Sequence, residues 1–197
     1  MKNRIIQLCY LLSIIITPIY SQGVLIVYYS TAGHTAAMAE AVVKGARSVK
    51  GVTVKLLAVE RASVDDVLAA DAIILGSPVY NANVAPPMQQ FINSWPFQGQ
   101  PLRDKIGAAF VTGGGISAGE ELTQLNILSS MLIFNMIVVG GPTWQGAFGA
   151  SGITGELPFG NEQENGIVQP RFLAKGEALG RRVAELAGKL HGTGAPD

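Results

Sequence analysis

The stretch Val24-Leu25-Ile26-Val27-Tyr28-Tyr29, followed by Ser30-Thr31-Ala32-Gly33, decides the fold class. An unbroken run of β-branched, aliphatic and aromatic residues is typical of a strand that is buried on both faces. The polar residues and the glycine after it predict a tight loop, and a helical pattern starts at His34. A buried strand that passes through a short loop into a helix is the unit from which parallel α/β sheets are built.

The same alternation recurs along the chain. We predict strands at residues 24–29, 52–57, 72–75, 106–111 and 136–139, and helices at 34–49, from 63, from 86, at 120–134 and from 170. On the last helix, Leu179, Val183, Leu186 and Leu190 recur at helical spacing and predict a stripe that faces the core. Five alternations predict one doubly wound α/β domain with helices on both faces of a parallel sheet. Such sheets bind ligands beyond the carboxyl ends of their strands.

Composition and charge narrow the function classes. The 197 residues are 48% apolar and 14% charged and include 24 glycines, which excludes a disordered or coiled-coil chain. Basic and acidic residues are equal in number, so the chain lacks the basic footprint of nucleic-acid-binding proteins, and we expect no nucleic-acid partner. Cys9 is the only cysteine, and His34 and His191 are far apart, so we expect neither a disulfide nor a metal site. Any redox activity must therefore come from a bound cofactor, and we expect no catalytic side chain.

Residues 1–22 differ from the rest of the chain. Lys2 and Arg4 precede an apolar run at 5–16, and Ser21 provides a small residue at a cleavage position, which is the pattern of a secretory signal peptide. The run is shorter than the roughly 20 residues of a membrane span. We expect a periplasmic or secreted protein with a mature domain at 23–191 and a disordered tail at 192–197. The alternatives are an uncleaved anchor and a start codon placed too far upstream, in which case the protein is cytoplasmic.

Three loops follow the first, third and fourth predicted strands. Residues 30–35 join a strand to a helix, so backbone amides, hydroxyls and the positive helix end converge on a site for a terminal phosphate. This loop has neither the GxxxxGK[ST] nor the GxGxxG pattern, and an ordinary capped helix start is the alternative. Residues 76–83 offer backbone groups and Tyr80 to a flat heterocycle, or form a proline-rich turn. Residues 112–119 contain four glycines that let a ligand approach the backbone, or form a flexible turn.

Residues 140–168 are rich in Gly, Pro, Asn and Thr and show no sustained period, so we predict a long functional loop. Ordering such a segment costs about 1–2 kcal/mol per residue, so Trp144 and Phe148 within it should be buried against either the edge of a bound cofactor or a neighbouring subunit. We expect a homo-oligomer, with this loop at or near the subunit contact and the cofactor.

The three loops as a set resemble those of the WrbA-type NAD(P)H:quinone oxidoreductases, within the flavodoxin-like superfamily, over residues 23–190. The resemblance rests on Val27-Tyr28-Tyr29-Ser30 with Gly33-His34, on Gly76-Ser77-Pro78, and on Gly119-Glu120-Glu121 leading into Thr123-Gln124-Leu125. It implies a five-stranded sheet of order 2-1-3-4-5, FMN as cofactor, NAD(P)H as electron donor and a quinone-like acceptor. It also implies that the homo-oligomer is a dimer or a tetramer. The implied FMN ligands are Ser30, Thr31, Ala32, Gly33, His34 and Thr35 in the phosphate loop, Pro78, Val79, Tyr80, Asn81, Ala82 and Asn83 at the ring, and Thr112, Gly113, Gly114 and Gly115 at the ring or ribityl chain.

The chain departs from this family on the substrate side. The second loop usually reads PTRFGN, whereas residues 78–83 here read PVYNAN and keep Tyr80 as their only aromatic residue. Many relatives carry a His-His pair over the flavin near the end of the fourth helix, where residues 132–135 here read LIFN. The family's tryptophan near the flavin matches either Trp95 or Phe97. These replacements predict a more apolar acceptor site.

Three functions are compatible with these features: a two-electron oxidoreductase, a one-electron carrier of the flavodoxin type, and a secreted flavodoxin-like protein without enzymatic activity. Carriers are usually strongly acidic around the flavin. This chain has no net charge and almost no acids in its three loops, which favours the enzyme. The non-enzymatic alternative stays open because of the signal-like segment and the altered loops.

Overall fold

A computed structural model describes residues 22–160 and 165–191. Cys9, the expected signal segment up to residue 21 and the expected tail at 192–197 lie outside the described residues. The strands are β1 (Gln22–Tyr28), β2 (Val52–Ala58), β3 (Ala72–Tyr80), β4 (Asn83–Val84), β5 (Ile106–Gly113), β6 (Ile137–Val138) and β7 (Ala150–Ile153). The α-helices are α1 (His34–Arg47), α2 (Val64–Ala69), α3 (Pro86–Asn93), α4 (Glu120–Ile133) and α5 (Pro170–His191). Within these two ranges, no helix combines the length and apolarity needed to cross a membrane.

The sheet confirms the predicted α/β class but has seven strands where five were predicted. The five main strands lie in the order β2-β1-β3-β5-β6, and each neighbouring pair is parallel. This is the predicted 2-1-3-4-5 order, because the short additional strand β4 turns the predicted fourth and fifth strands into β5 and β6. β4 pairs antiparallel with β3, and β7 pairs parallel with β5. The strand order reverses between β1 and β3, so a ligand site is expected just beyond the carboxyl ends of these two strands. This side of the sheet is called the carboxyl edge below.

Successive residues of β1 enter opposite cores. Val24 and Ile26 pack in the core that includes side chains of α1 and α5, and Leu25 and Val27 pack in the core of α2, α3 and α4. A strand alternates the faces of its side chains, so burial of both faces explains why this strand is continuously apolar. Each fully buried aliphatic side chain contributes about 1.5–3 kcal/mol to folding.

The predicted stripe on α5 is confirmed only in its first half. Leu179 and Val183 are fully buried, Leu186 is partly buried, and Leu190 is 50% exposed. Buried alanines of the following turn complete the contact surface of the helix. The stripe therefore ends about one turn earlier than the leucine spacing indicates.

The segment at 140–168 was predicted as a loop throughout, but it contains a strand. β6 pairs with the start of β5, at Ile106 and Gly107, and β7 pairs with the end of β5, from Phe110 to Gly113. The chain thus leaves the edge of the sheet after β6 and returns to the same edge at β7. The Ala-Ser-Gly-Ile sequence of β7 has a single β-branched residue, so tertiary pairing rather than local preference determines this strand.

Candidate cofactor site at the carboxyl edge of the sheet

Residues 30–35 connect β1 to α1 through a left-handed glycine. Gly33 has a φ of 86° and is the N-cap of α1. Its amide donates to Ser30 Oγ at 3.1 Å, which holds the loop in a compact turn. The first turn of α1 has no acidic residue, and no side chain caps it. A helix start of this kind presents partial positive charge to an anion.

The starts of α2, α3 and α4 are less suited to an anion than that of α1, although α3 and α4 also lack a side-chain cap, because α2 is capped, α3 lacks amide hydrogens and the first turn of α4 carries two acidic residues. The Asp66 side chain closes a capping box on α2, and α3 starts with two prolines, which lack amide hydrogens. At α4 the Glu120 carboxylate accepts from the amides of Ser117 and Ala118 at 3.1 and 3.0 Å. Compared with these three, α1 is the helix start that suits a phosphate.

Two buried hydroxyls join the first loop to the third. Thr35 Oγ1 and Thr112 Oγ1 are 2.7 Å apart, and the two residues are 1% and 4% exposed. Thr35 lies in the first turn of α1, and Thr112 lies near the end of β5. Both residues were predicted as ligand contacts, and the structure buries their side chains against each other.

The second loop is a β-hairpin. The strand predicted to end at residue 75 continues to Tyr80, and the turn residues Asn81 and Ala82 have φ values of 51° and 59°. Positive φ at both central residues is the two-residue turn that matches the twist of paired strands. The predicted ring contacts at 78–83 therefore lie on a hydrogen-bonded hairpin, which is more rigid than a surface turn.

Tyr80 connects this hairpin to the first loop. Its hydroxyl is 3.3 Å from Thr31 Oγ1, and its ring lies edge-to-face with that of Tyr29, with 6.4 Å between the centroids. Burial and then the neighbouring Tyr80 raise the pKa of Tyr29, so this phenol stays protonated at neutral pH. Tyr80 is 37% exposed and offers an aromatic surface to a flat ligand.

The hairpin also meets the third loop. Gly119, the N-cap of α4, has a φ of 100°, and a Cβ at this position would collide with Ala82. Only glycine combines that backbone conformation with so close an approach. Asn126 Nδ2 donates to Asn83 Oδ1 at 2.8 Å next to this contact. The three predicted loops therefore form one connected surface.

A carboxylate that sequence reasoning did not identify lies on the third loop. Glu156 Oε2 accepts from the amide of Ile116 at 2.6 Å. With Glu120, it makes the third loop more acidic than the loop's own residues indicate. Forty positions separate Glu156 from Ile116, and it stands in a segment with no sequence period, so no local signal could have identified it.

Residues after β7 bring Glu156 to this position. The amides of Thr154 and Gly155 donate to the carbonyls of Gly113 and Gly114, at 2.9 Å each, and so continue the parallel ladder past β5. Further along, Gly166 lies beside Gly33, where a Cβ on Gly33 would be 3.0 Å from its Cα. The long segment thus borders both the first and the third loop.

Trp95, Phe97 and residues 132–135, which match substrate-side residues of the family, lie far from the three loops of the same chain. α4 begins at the third loop and has 14 residues, so its last turn is about 20 Å away at 1.5 Å per residue. There the ring of Phe134 lies 5.4 Å from that of Trp95 and 6.0 Å from that of Phe97, beside a cavity of about 390 Å³. Residues 132–135 therefore do not lie over the three loops of their own chain.

No group of three His, Cys, Asp or Glu side chains that could hold a metal ion occurs among residues 22–160 and 165–191. The described residues of the three loops and Glu156 bring backbone amides, hydroxyls, the His34 imidazole, carboxylates and an aromatic ring to the carboxyl edge.

Comparison with known proteins identifies the family. The NAD(P)H dehydrogenase (quinone) of Azorhizobium caulinodans is 35% identical over 199 residues, which cover 86% of this chain and 98% of the relative. The protein of the same name from Geotalea daltonii is 33% identical over 201 residues, which cover 85% and 97%. This chain belongs to the NAD(P)H dehydrogenase (quinone) family. A model described as NADPH-dependent FMN reductase also matches residues 58–150.

Solved structures confirm the flavodoxin-like fold of this NAD(P)H dehydrogenase (quinone) family member. A flavodoxin, WrbA-like protein from Agrobacterium tumefaciens superposes with a TM-score of 0.68 at 23% identity, over 86% of this chain and 99% of the other. A flavodoxin from the domain Archaea gives a TM-score of 0.64 at 25% identity, over 84% and 99%. The resemblance found in the sequence is therefore confirmed.

Proposed function

We propose that this chain is an FMN-dependent oxidoreductase that transfers two electrons from NAD(P)H to a quinone-like acceptor. The observation that carries the proposal is the meeting of three loops at the start of α1, whose first turn has neither a side-chain cap nor an acidic residue, in a chain whose relatives are named NAD(P)H dehydrogenase (quinone). FMN supplies the redox chemistry when it is bound. The protein's part is to bind it, orient it and leave one face open to donor and acceptor.

Each loop has a separate part in this binding. The backbone of 30–35 and the start of α1 bind the phosphate, the hairpin at 78–83 contacts the ring with Tyr80, and Gly113, Gly114 and Gly115 contact the ring or ribityl chain through their backbone. The connected hydrogen bonds among the loops support this division, because they fix the three binding surfaces relative to one another.

The proposal is tested by anaerobic mixing of the FMN-loaded protein with NADH or NADPH, followed by benzoquinone. We expect the flavin absorbance to bleach and then to return, with ping-pong steady-state kinetics, because donor and acceptor use one site in succession. A flavin that stays oxidised over many minutes in the presence of NAD(P)H would contradict the proposal.

The phosphate position is tested with matched glycine variants. Gly33→Asp puts a carboxylate at the anion site, whereas Gly33→Asn puts a neutral side chain of the same shape there and brings the same Cβ close to Gly166. We expect Gly33→Asp to bind FMN at least about tenfold more weakly than Gly33→Asn, on the scale of a lost charge-assisted hydrogen bond. Equal affinities would show that the phosphate binds elsewhere.

The one-electron carrier is a second candidate, and a specific observation favours it. Glu120 and Glu156 both accept hydrogen bonds from amides of the third loop, and carriers are usually strongly acidic around the flavin. A carrier would be reduced by dithionite but not by NAD(P)H, so the same anaerobic experiment separates the two functions.

Self-association and export are further proposals. The 84% exposure of Trp144 supports a homo-oligomer. The pattern of Lys2, Arg4 and an apolar run supports a cleaved signal peptide and a periplasmic or secreted location. An intact-mass measurement on protein from the native cell tests the second proposal, because cleavage after Ser21 or Gln22 lowers the mass by that of residues 1–21 or 1–22.

A further inference from the structure

The hydroxyls of the buried residues Thr35 and Thr112 have two hydrogens to donate, and the hydrogen bond between them takes up only one. Each threonine hydroxyl carries one hydrogen and can accept two bonds. Only one hydrogen lies between Thr35 Oγ1 and Thr112 Oγ1, which are 2.7 Å apart. In the part of the chain that the structure describes, neither hydroxyl has a second hydrogen-bond partner. One of the two hydrogens is therefore buried without an acceptor, which is unfavourable.

The positions of Thr35 and Thr112 indicate which of the two hydroxyl hydrogens lacks an acceptor within the pair. Thr35 is the second residue of α1 and lies at the uncapped helix start, where an anion is favoured. Thr112 lies between Val111 and Gly113 on β5, within the sheet, and is 4% exposed. If Thr112 donates to Thr35, the hydrogen of Thr35 is available to an anion at the helix start. If Thr35 donates instead, the spare hydrogen stays within the sheet and finds no acceptor.

We propose that Thr112 is a positioning residue that directs the hydroxyl of Thr35 toward the phosphate of FMN and so sets the preference for FMN over riboflavin. In this arrangement Thr112 does not contact the flavin ring, and its effect on binding is transmitted by Thr35. The inference rests on the proposed FMN function.

The test compares the affinities of FMN and riboflavin for the full chain by fluorescence titration. Thr112→Val keeps the shape of the side chain and removes its hydroxyl. We expect it to raise the Kd of FMN about tenfold, on the scale of a hydrogen bond to a charged group, and to change that of riboflavin less than about twofold. Thr112→Ser should restore the wild-type ratio, because it keeps the donor.

Two further variants separate positioning from general damage. Thr154→Val is the matched control, because Thr154 is also buried and its hydroxyl bonds the carbonyl of Gly113 at 3.2 Å rather than another hydroxyl. It should leave the ratio of the two affinities unchanged. The double variant Thr35→Val/Thr112→Val should bind FMN no more weakly than Thr35→Val, because Thr112 acts through that hydroxyl. Thr112→Ala replaces the valine variant if the latter does not fold.

Two results would overturn the inference while FMN-dependent turnover persists. An equal loss of FMN and riboflavin affinity in Thr112→Val would make Thr112 a ring contact, and additive losses in the double variant would remove the coupling to Thr35. A wild-type chain that binds no FMN would instead overturn both this inference and the proposed function.

Discussion

The Asp66 side chain at the start of α2 interacts with Ser63 and Lys55. Its carboxylate accepts from the Ser63 amide at 2.9 Å and from the Ser63 hydroxyl at 2.7 Å, and it forms an ion pair with Lys55 of β2. The hydrogen bond from Lys55, and next that from Ser63, lower the pKa of Asp66 to about 2. The side chain therefore joins α2 to the edge of the sheet as well as capping the helix.

This depressed pKa predicts a pH-dependent part of the stability. Because the pKa is lower in the folded than in the unfolded chain, the contribution is fully present above about pH 4 and is lost as the pH falls through about 2. We expect it to be about 1 kcal/mol, since the pair is at the surface and is screened by solvent. Urea unfolding at pH 7 and pH 3 should show that Asp66→Asn removes this contribution. Asp65→Asn, at the exposed neighbouring position, should leave the pH dependence as it is in the wild type.

The capping box and the hydroxyl pair show which residue contacts sequence can predict. Ser63 and Asp66 are three positions apart, and this spacing is itself the signal of a capped helix. Thr35 and Thr112 are 77 positions apart, and their contact exists only because β1 and β5 carry two loops to the same edge. The sequence therefore predicted that both residues lie at the site, but not that they bond each other.

The segment after β7 stabilises the third loop by extending the sheet. Thr154 and Gly155 continue the ladder along Gly113 and Gly114, and Glu156 then bonds the amide of Ile116. The glycine-rich loop, for which a flexible turn was the alternative to a ligand contact, is therefore fixed by a second segment of chain. Its order depends on this segment rather than on its own sequence.

Glu156→Ala should loosen the third loop without unfolding the domain. We expect the Ile116 amide of the apo protein to exchange its hydrogen about tenfold faster or more, because a hydrogen bond to a carboxylate is lost. Glu156→Gln keeps an acceptor and should exchange at a rate between those of the wild type and the alanine variant. Glu121→Ala is the control, since this exposed acid lies at the start of α4. Unchanged exchange at Ile116 in Glu156→Ala would mean that other contacts order the loop.

The strands and helices were predictable where their signal is local. The apolar runs of β1, β3 and β5 and all five helices follow from composition and spacing. β4 and β7 were missed, because a two-residue strand and an Ala-Ser-Gly-Ile strand carry no pattern of their own. β3 was predicted too short, because its continuation through Pro78 is stabilised by pairing with β4 and β5.

Among residues 22–160 and 165–191, several large apolar side chains are exposed, and Trp144 is the most exposed of them at 84%. The backbone around it is nevertheless fixed. Lys175 of α5 donates to the carbonyl of Gln145 at 3.1 Å, and Arg182 donates to the carbonyls of Gly140, at 3.1 Å, and Gly141. A tryptophan on a fixed backbone loses little further entropy when a partner covers it, and this is typical of a residue that anchors an interface.

We therefore expect the protein to self-associate through Trp144. Phe148, which is 39% exposed a turn further on, adds apolar area to the same segment. A stable contact buries at least about 1,000 Å², so a central tryptophan should dominate its free energy. Sedimentation velocity at micromolar concentration should show an oligomer for the wild type and a shift toward monomer for Trp144→Ser. Leu68→Ser, at an exposed apolar position of α2, is the control and should sediment like the wild type. A monomeric wild type, or an oligomer that Trp144→Ser leaves unchanged, would show that this tryptophan is exposed for another reason.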